Sequence, residues 1–328
     1  MSAPERAAGR SVLVAGATCF VGRALVPALL DRGYRVRACA RHAGGPRRND
    51  LEYVRCDVLD EKTLPRALAD VWAAYYLVHS LGGRDYSERD RRAAQTFAGA
   101  AAEAGVSRIV YLGGVAPRGR ASEHLRSRLE VGRILRSGRV PAVELRAAMI
   151  VGPGSASWQI VRDLALRLPA MVLPSWLDSR LSPIALEDAI RALLDALEIF
   201  LPASAHYDIA GPELLSGKQI LEKIAALEGR RLPTISLPWL TPRLSALWLK
   251  LVTRANFALA RELVFGLTED LLPQDQRYWQ LTEHRPVISF ESAARAALEA
   301  DRRGGATPGL GALEEALVRR LGPRLRAF

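Results

Sequence analysis

The stretch Ser11-Val-Leu-Val-Ala-Gly-Ala-Thr-Cys-Phe-Val-Gly-Arg-Ala-Leu-Val26 constrains this chain more than any other. Ser11 to Ala15 read as a buried strand. Gly16 and Gly22 bracket a tight turn. Apolar residues then recur at helical spacing over 20–30, and Gly33 stops the helix. Tyr34-Arg-Val-Arg-Ala-Cys-Ala40 reads as the next strand. A strand, a glycine turn, a helix and a second strand within about thirty residues predict the first unit of a dinucleotide-binding fold. Glycine lets the backbone turn sharply, and the helix start offers free N–H groups and the positive end of its dipole to a pyrophosphate. Thr18, Cys19, Phe20 and Val21 complete the turn and are candidate cofactor contacts with Gly16 and Gly22. Cys19 stands at the middle glycine position, where a Cβ crowds the closest approach to phosphate. A strand-turn-helix that holds no ligand stays open at this point.

The rest of the chain repeats the rhythm. Strands are expected at 51–56, 71–78, 108–112 and 140–146, with helices at 61–68, 86–104 and 122–137. Several of these strands are continuously apolar, which implies a parallel sheet covered on both faces. The fold class is therefore α/β, a doubly wound parallel Rossmann sheet with a smaller, mostly helical C-terminal lobe. Residues 1–10 read as a loose N-terminus, 11–152 as the nucleotide-binding domain and 153–328 as the C-terminal lobe. The strand near 205–210 is a candidate for return to the main sheet. Beyond 152, helices are expected at 158–168, 186–200 and 216–227, the last capped by Ser216. The Pro-rich stretch 169–183 reads as irregular. A helix near 290–300, a Gly-rich linker at 304–311 and a final amphipathic helix close the chain.

A chain of 328 residues with 49% apolar content has material for a large core. The net charge is +11, and of 46 basic residues only Lys62, Lys218, Lys223 and Lys250 are lysine. Arginine is scattered throughout. This balance favours anionic partners such as a phosphorylated cofactor. No basic run interleaves with aromatics, so nucleic acid is not expected as a partner. Cys19, Cys39 and Cys56 show no metal-binding spacing, and reduced thiols in a cytoplasmic protein are expected. His42, His206 and His284 are expected to be isolated from carboxylate or Cys partners, so no metal site is expected. No secretory signal pattern and no long uncharged apolar run is present. The apolar segment 237–267, with Trp239 and Trp248, reads as core or as a lid over an apolar substrate. Its alternative is peripheral membrane contact, because Arg243, Lys250, Arg254 and Arg261 suit anionic head groups.

At the end of the second strand, NAD sites place an acid that binds the ribose diol. Here the residues are Cys39-Ala-Arg41, with Arg47 and Arg48 nearby and no acid. A guanidinium suits a 2′-phosphate, which favours NADP(H). Asp57 and Val58, after the third strand, are placed against the adenine.

The Gly16–Gly22 turn, Arg41 and Asp57-Val58-Leu59-Asp60 resemble the atypical, NmrA-like branch of the short-chain dehydrogenase/reductase superfamily. Ala74-Tyr-Tyr-Leu-Val-His-Ser80, His124-Leu-Arg-Ser-Arg-Leu-Glu-Val-Gly132 and Glu144-Leu-Arg-Ala147 are similar to a bacterial subgroup of NAD(P)-binding oxidoreductases with a C-terminal extension of unassigned function. Ser182-Pro-Ile-Ala185 and Tyr207-Asp-Ile-Ala-Gly-Pro-Glu213 extend the resemblance, which runs from residue 11 to about 300. It implies a catalytic Ser after the fifth strand and a Tyr and a Lys four residues apart on the next helix. Gly113-Gly114, His124 and Arg128 occupy those positions. Spacing of i and i+4 keeps His124 and Arg128 on one helix face. They are the candidate catalytic residues, His124 as proton donor, with Arg128, Gly113 and Gly114 placing the cofactor. Val78 and His79 fall where the nicotinamide ribose passes; His79 is either catalytic or a hydrogen-bonded structural residue. The helix start is expected to lower the Cys19 pKa.

Two functions follow as expectations. The first is an NADP(H)-dependent oxidoreductase acting on a small or lipid-like apolar carbonyl, imine or enone. The second is a non-catalytic NADP(H)-binding redox sensor or assembly factor, cytoplasmic or peripheral to a membrane. The oligomeric state is left open.

Overall fold

The computed structural model describes residues 9–41, 48–80, 85–119, 121–167, 171–173, 175–231, 234–236, 269–282 and 284–303. In chain order the first elements are β1 (Ser11–Ala15), α1 (Phe20–Asp31), β2 (Arg35–Ala40), β3 (Leu51–Arg55), α2 (Leu64–Leu68), β4 (Ala73–Tyr76), α3 (Tyr86–Glu103), β5 (Arg108–Gly114), α4 (Glu123–Arg136) and β6 (Ala142–Ala147). There follow β7 (Ile150–Val151), α5 (Ala156–Arg167), β8 (Met171–Leu173), β9 (Arg180–Leu181), β10 (Ile184–Ala185), α6 (Leu186–Asp195) and β11 (Ala205–Asp208). The last are β12 (Leu215–Ser216), α7 (Gly217–Leu227), β13 (Thr234–Ser236), α8 (Tyr278–Leu281) and α9 (Phe290–Arg303).

Contacts divide the chain into two units, each drawn from three segments. The first takes Met1–Ala148, Leu186–Ala210 and Leu272–Pro286; the second takes Met149–Ala185, Gly211–Leu271 and Val287–Phe328. A single boundary near 152 therefore does not describe the division, because the chain returns twice to the first unit.

The first unit is built on a sheet in the order β11-β6-β5-β4-β1-β2-β3, with every neighbouring pair parallel. The chain runs outward from β1 through β2 to β3, then crosses to β4 on the other side of β1. That reversal makes the carboxyl ends of β1 and β4 the place where a ligand fits. Val12, Leu13, Val14 and Ala15 of β1 are fully buried, as a strand covered on both faces must be. Helices supply the cover through apolar stripes at helical spacing: Val21, Leu25 and Leu29 on α1, Ala93, Phe97 and Ala101 on α3, and Val131 and Leu135 on α4. Leu13, Val54, Tyr76, Phe97, Ile109 and Leu135 belong to one core cluster. Phe97 is fully buried there, so its truncation to Ala costs about 3–5 kcal/mol.

Two expectations change. The helix expected over 186–200 ends at Asp195. Side chains take carbonyls of its last turn and of the residues just after it: Tyr75 Oη donates to Leu193 O at 2.7 Å, Tyr278 Oη to Ala192 O at 2.5 Å, and Arg108 to Ala196 O and Ile199 O at 2.8 and 2.9 Å. Partners like these satisfy groups that further helical turns would otherwise take up. The second change concerns the thiols. Cys39 and Cys56 form a disulfide, so only Cys19 is free. The register of β2 on β3 sets Cys39 opposite Val54, and Cys56 follows at a Cα distance of 5.3 Å from Cys39, within disulfide reach.

The second unit holds three two-stranded pairs, β7 with β10, β8 with β13, and β9 with β12. Trp158 on α5 is fully buried and donates from Nε1 to Asp301 Oδ2 on α9 at 3.1 Å. A capping box from Ser216 and Gln219 starts α7. Gly211 is required where it stands, since a Cβ there falls 1.8 Å from Pro183 O. No helix among the described residues is long and apolar enough to cross a membrane. The basic stretch 42–47, the apolar segment 237–267, the linker at 304–311 and the final helix expected after it lie outside the described residues.

Candidate active site

The phosphate turn joins β1 to α1. Gly16 has φ +93°, a conformation glycine adopts freely, and a Cβ on it meets Leu77 O at 3.0 Å. Cys19 N donates to Gly16 O at 2.9 Å and closes the turn. Gly22 packs so tightly that a Cβ falls 2.2 Å from Gly16 O. No acid occupies the first turn of α1. A left-handed glycine, a close backbone approach and an unopposed helix start fit a pyrophosphate.

Cys19 alters that cradle in a specific way. Its side chain is the N-cap of α1, and Sγ accepts from Gly22 N at 3.3 Å. The sulfur thus engages one of the amides that α1 turns toward an anion. Burial pushes its pKa up from the ordinary 9.0, against the lowering pull of the Gly22 and Val21 amides and of Arg23 and Arg128. The expected lowering by the helix start is present and is outweighed, so Cys19 is a protonated thiol at neutral pH.

Arg41 follows β2 directly, is exposed, and has no carboxylate partner among the described residues. Arg48 does not join it. Asp50 holds Arg48 with two hydrogen bonds of 3.0 Å, while Asp50 O accepts from Val36 N at the amino end of β2, the far edge of the sheet. On the near edge, Asp57 Oδ1 accepts from Leu59 N at 3.0 Å, and Asp57 N donates to Thr63 Oγ1 at 3.0 Å. These bonds set the turn that carries buried Val58.

At the opposite end of the site, Val78 and His79 follow β4. Leu77 O, which a Cβ on Gly16 would meet at 3.0 Å, lies at this end of the site. The His79 and His124 rings lie 6.3 Å apart, centroid to centroid. Arg128 Nη2 donates to Leu112 O at 2.5 Å, and Tyr111 Oη donates to Arg128 O at 3.0 Å, so the residue is tied to β5 at both ends. A side chain at Gly114 has little room, since a Cβ there lies 3.1 Å from Leu125 Cδ2 and 3.5 Å from Arg128 Nε. At Gly113 a Cβ meets Glu144 Oε1 at 2.8 Å. The missing Ser is thus replaced by space that Arg128, Leu125 and Glu144 fill.

Burial first, and the Arg128 charge second, lower the His124 pKa to about 4. His79 is lowered as well, first by desolvation, then by the Arg128 charge, then by His124. Both imidazoles are neutral at pH 7 beside a fixed cation. The arrangement accepts a proton, or donates a neutral N–H hydrogen bond, rather than storing an imidazolium.

The turn residues, His79, Gly114, His124 and Arg128 therefore converge at the carboxyl ends of β1, β4 and β5. Arg41, Asp57 and Val58 sit on the same edge at β2 and β3. Two residues with a supporting role escaped the sequence reading. Asp90 is buried and accepts from Ser80 N at 2.7 Å and from Ser127 Oγ at 3.1 Å, which joins the residue after His79 to the helix bearing His124 and Arg128. Its signal was an acid in the apolar stripe Asp90, Ala93, Ala94, Phe97. Glu144, fully buried on β6, pairs with Arg136 at 2.8 Å and Arg146 at 2.9 Å beneath Gly113. An acid inside an apolar strand was its signal. His284 is not isolated from carboxylates, since its Nδ1 lies 2.7 Å from Asp195 Oδ2, brought there from far along the chain; among the described residues no cluster suits a metal ion.

Comparison with known proteins agrees with this geometry. The NAD(P)H-binding family matches residues 16–167, from the phosphate turn through α5. Residues 16–167, just under half of the chain, are similar to that family. The solved structures that match share the Rossmann fold of the chain. The fold is that of UDP-glucose 4-epimerase from Thermotoga maritima (TM-score 0.68, 13% identity, 90% of this chain and 99% of that one). It is equally that of UDP-glucuronic acid 4-epimerase from Bacillus cereus, solved with NAD (TM-score 0.69, 16% identity, 89% and 99%). Uncharacterised proteins of Mycobacterium tuberculosis and Mycobacterium bovis are 27% identical over 229 residues, 69% of this chain. The chain spans about a quarter of the length of these curated relatives, 24%.

Proposed function

We propose that the chain is an NADP(H)-dependent oxidoreductase that transfers hydride to or from a small or lipid-like apolar carbonyl, imine or enone. The observation that carries this is the pairing of His124, held neutral with a pKa of about 4, with Arg128, fixed to Leu112 O at the end of β5. Gly16, Thr18, Phe20, Val21 and Gly22 hold the pyrophosphate, Asp57 and Val58 the adenine, and Arg41 the 2′-phosphate. Val78, His79, Gly113, Gly114 and Arg128 flank the nicotinamide ribose. The nicotinamide, when bound, supplies or takes up the hydride.

His124 does the proton work. As a substrate alcohol is oxidised, its neutral ring nitrogen accepts the hydroxyl proton and passes it to solvent; in reduction that nitrogen takes a proton from solvent and delivers it to the new alkoxide oxygen. The Arg128 charge disfavours the imidazolium, so the proton is not retained on His124. Arg128 spends one N–H on Leu112 O and keeps the others for the cofactor.

A second reading is a non-catalytic NADP(H)-binding sensor or assembly factor. The replacement of the usual Ser, Tyr and Lys by Gly113-Gly114, His124 and Arg128 favours it. The two separate in one assay. NADPH oxidation is followed by absorbance across a panel of apolar carbonyls, imines and enones, with a UDP-sugar added because similar folds hold one. Turnover that disappears in His124→Ala, while NADPH binding persists, supports the oxidoreductase. Tight NADPH binding without turnover across the panel supports the sensor.

A further inference from the structure

We infer that the Cys39–Cys56 disulfide is a reversible lock on the adenosine end of the cofactor site, so that thiol–disulfide state sets NADP(H) affinity. The inference rests on the NADP(H) reading above. Its ground is position. Cys39 ends two residues before Arg41, and Cys56 immediately precedes Asp57 and Val58. The bond closes the segment between β2 and β3, a sequence separation of 17, and that segment carries Arg41. Among the described residues no other disulfide and no other cysteine lies on this edge beyond Cys19 in the phosphate turn.

Both cysteines are buried, in the core cluster with Val54, Val58 and Leu64. Breaking the bond removes the covalent tie between the carboxyl ends of β2 and β3. Those ends are otherwise held by single ladder bonds such as Cys56 N to Ala40 O at 3.0 Å. A closed loop also has less freedom to lose when Arg41 and the Asp57 turn are ordered around a ligand. The oxidised form is thus the tight-binding form.

The chemistry balances with a dithiol as reductant. Its thiolate attacks one sulfur, the Cys39–Cys56 bond breaks, and a mixed disulfide forms. The second thiol of the reductant then displaces that cysteine. Two electrons and two protons pass to the cysteine pair, and the dithiol leaves as its own disulfide. Oxidation by a small disulfide such as oxidised glutathione reverses the exchange. Linkage is reciprocal: if the bond tightens NADPH, saturating NADPH resists reduction by the same factor.

The test uses the full chain purified without reductant. Alkylation under denaturing conditions and intact mass count the free thiols, and NADPH fluorescence titration gives affinity before and after dithiothreitol. The expected result is a single free thiol that becomes three on reduction, and a loss of NADPH affinity of about fivefold or more. Saturating NADPH slows the appearance of the two new thiols, and Cys39→Ala/Cys56→Ala binds alike with or without dithiothreitol. Three free thiols at the outset, equal affinity in both states, or a dithiothreitol effect that persists in the double variant and so acts through Cys19 overturns the inference. Equal affinity leaves the NADP(H) reading standing. Failure of both states to bind overturns that reading as well.

Discussion

Gly22→Ala probes the geometry of the phosphate turn directly. The new Cβ arrives 2.2 Å from Gly16 O and 2.9 Å from the Ala17 Cα and carbonyl carbon, all backbone atoms that no rotamer change moves aside. Comfortable contact needs about 3.5 Å, so the start of α1 and the Gly16 carbonyl separate by roughly 1 Å. Overpacking of this kind costs about 1–3 kcal/mol, a fall in melting temperature of several degrees for a unit of this size. The loss in binding is larger. A displacement of about 1 Å in a positioned site costs on the order of 100-fold, and NADPH affinity is expected to drop by that amount. Gly99→Ala is the control. Gly99 sits mid-helix in α3 with nothing within 4 Å of an added Cβ, so it gains about 0.5–1 kcal/mol and leaves NADPH binding unchanged. Calorimetric titration well below the melting temperature separates the two effects. Wild-type affinity in a folded Gly22→Ala protein refutes the assignment of this turn to the pyrophosphate.

Cys19→Gly removes the sulfur from Gly22 N and loses only a few tenths of a kcal/mol of capping, so NADPH binding is expected to tighten about tenfold; unchanged or weaker binding by calorimetry contradicts the blocking role. His124 titrates with a midpoint near 4 in an NMR pH series, and near 6.5 if Arg128 and burial do not govern it. Because that folded pKa lies below the unfolded 6.5, the His124 contribution to stability is complete above pH 6.5 and is lost as pH falls from there through about 4, which chemical denaturation at pH 7 and pH 4.5 reads as a drop. Glu144→Ala strands Arg136 and Arg146 partly buried and costs about 3–5 kcal/mol in denaturant unfolding; a loss under about 1 kcal/mol contradicts the account of that cluster.

Legibility followed the range of the interactions. The β1-turn-α1 unit was readable because glycine conformation, apolar periodicity and a helix start are all local. Arg41, Asp57 and the His124–Arg128 pair were placeable because strand ends and i, i+4 spacing fix them once the sheet is granted. The disulfide was not readable, since it depends on the register of β2 against β3. The end of α6 at Asp195 depends on hydroxyls arriving from Tyr75 and Tyr278, far away in sequence. The roles of Asp90 and Glu144 rest on partners from other elements, which no local pattern supplies. Cys19 shows the limit of a motif most clearly: the helix start acts on it as expected, yet burial decides the direction.

The central claim is that the turn at Gly16–Gly22 and Arg41 together form an NADP(H) site. Calorimetric titration of the full chain with NADPH and with NADH, repeated on Arg41→Ala, tests it most directly. A guanidinium–phosphate contact worth about 1.5–3 kcal/mol predicts a preference for NADPH of about 10- to 100-fold, abolished in Arg41→Ala while NADH binding is retained. Equal affinity for the two nucleotides, or no heat and no thermal stabilisation with either, contradicts it.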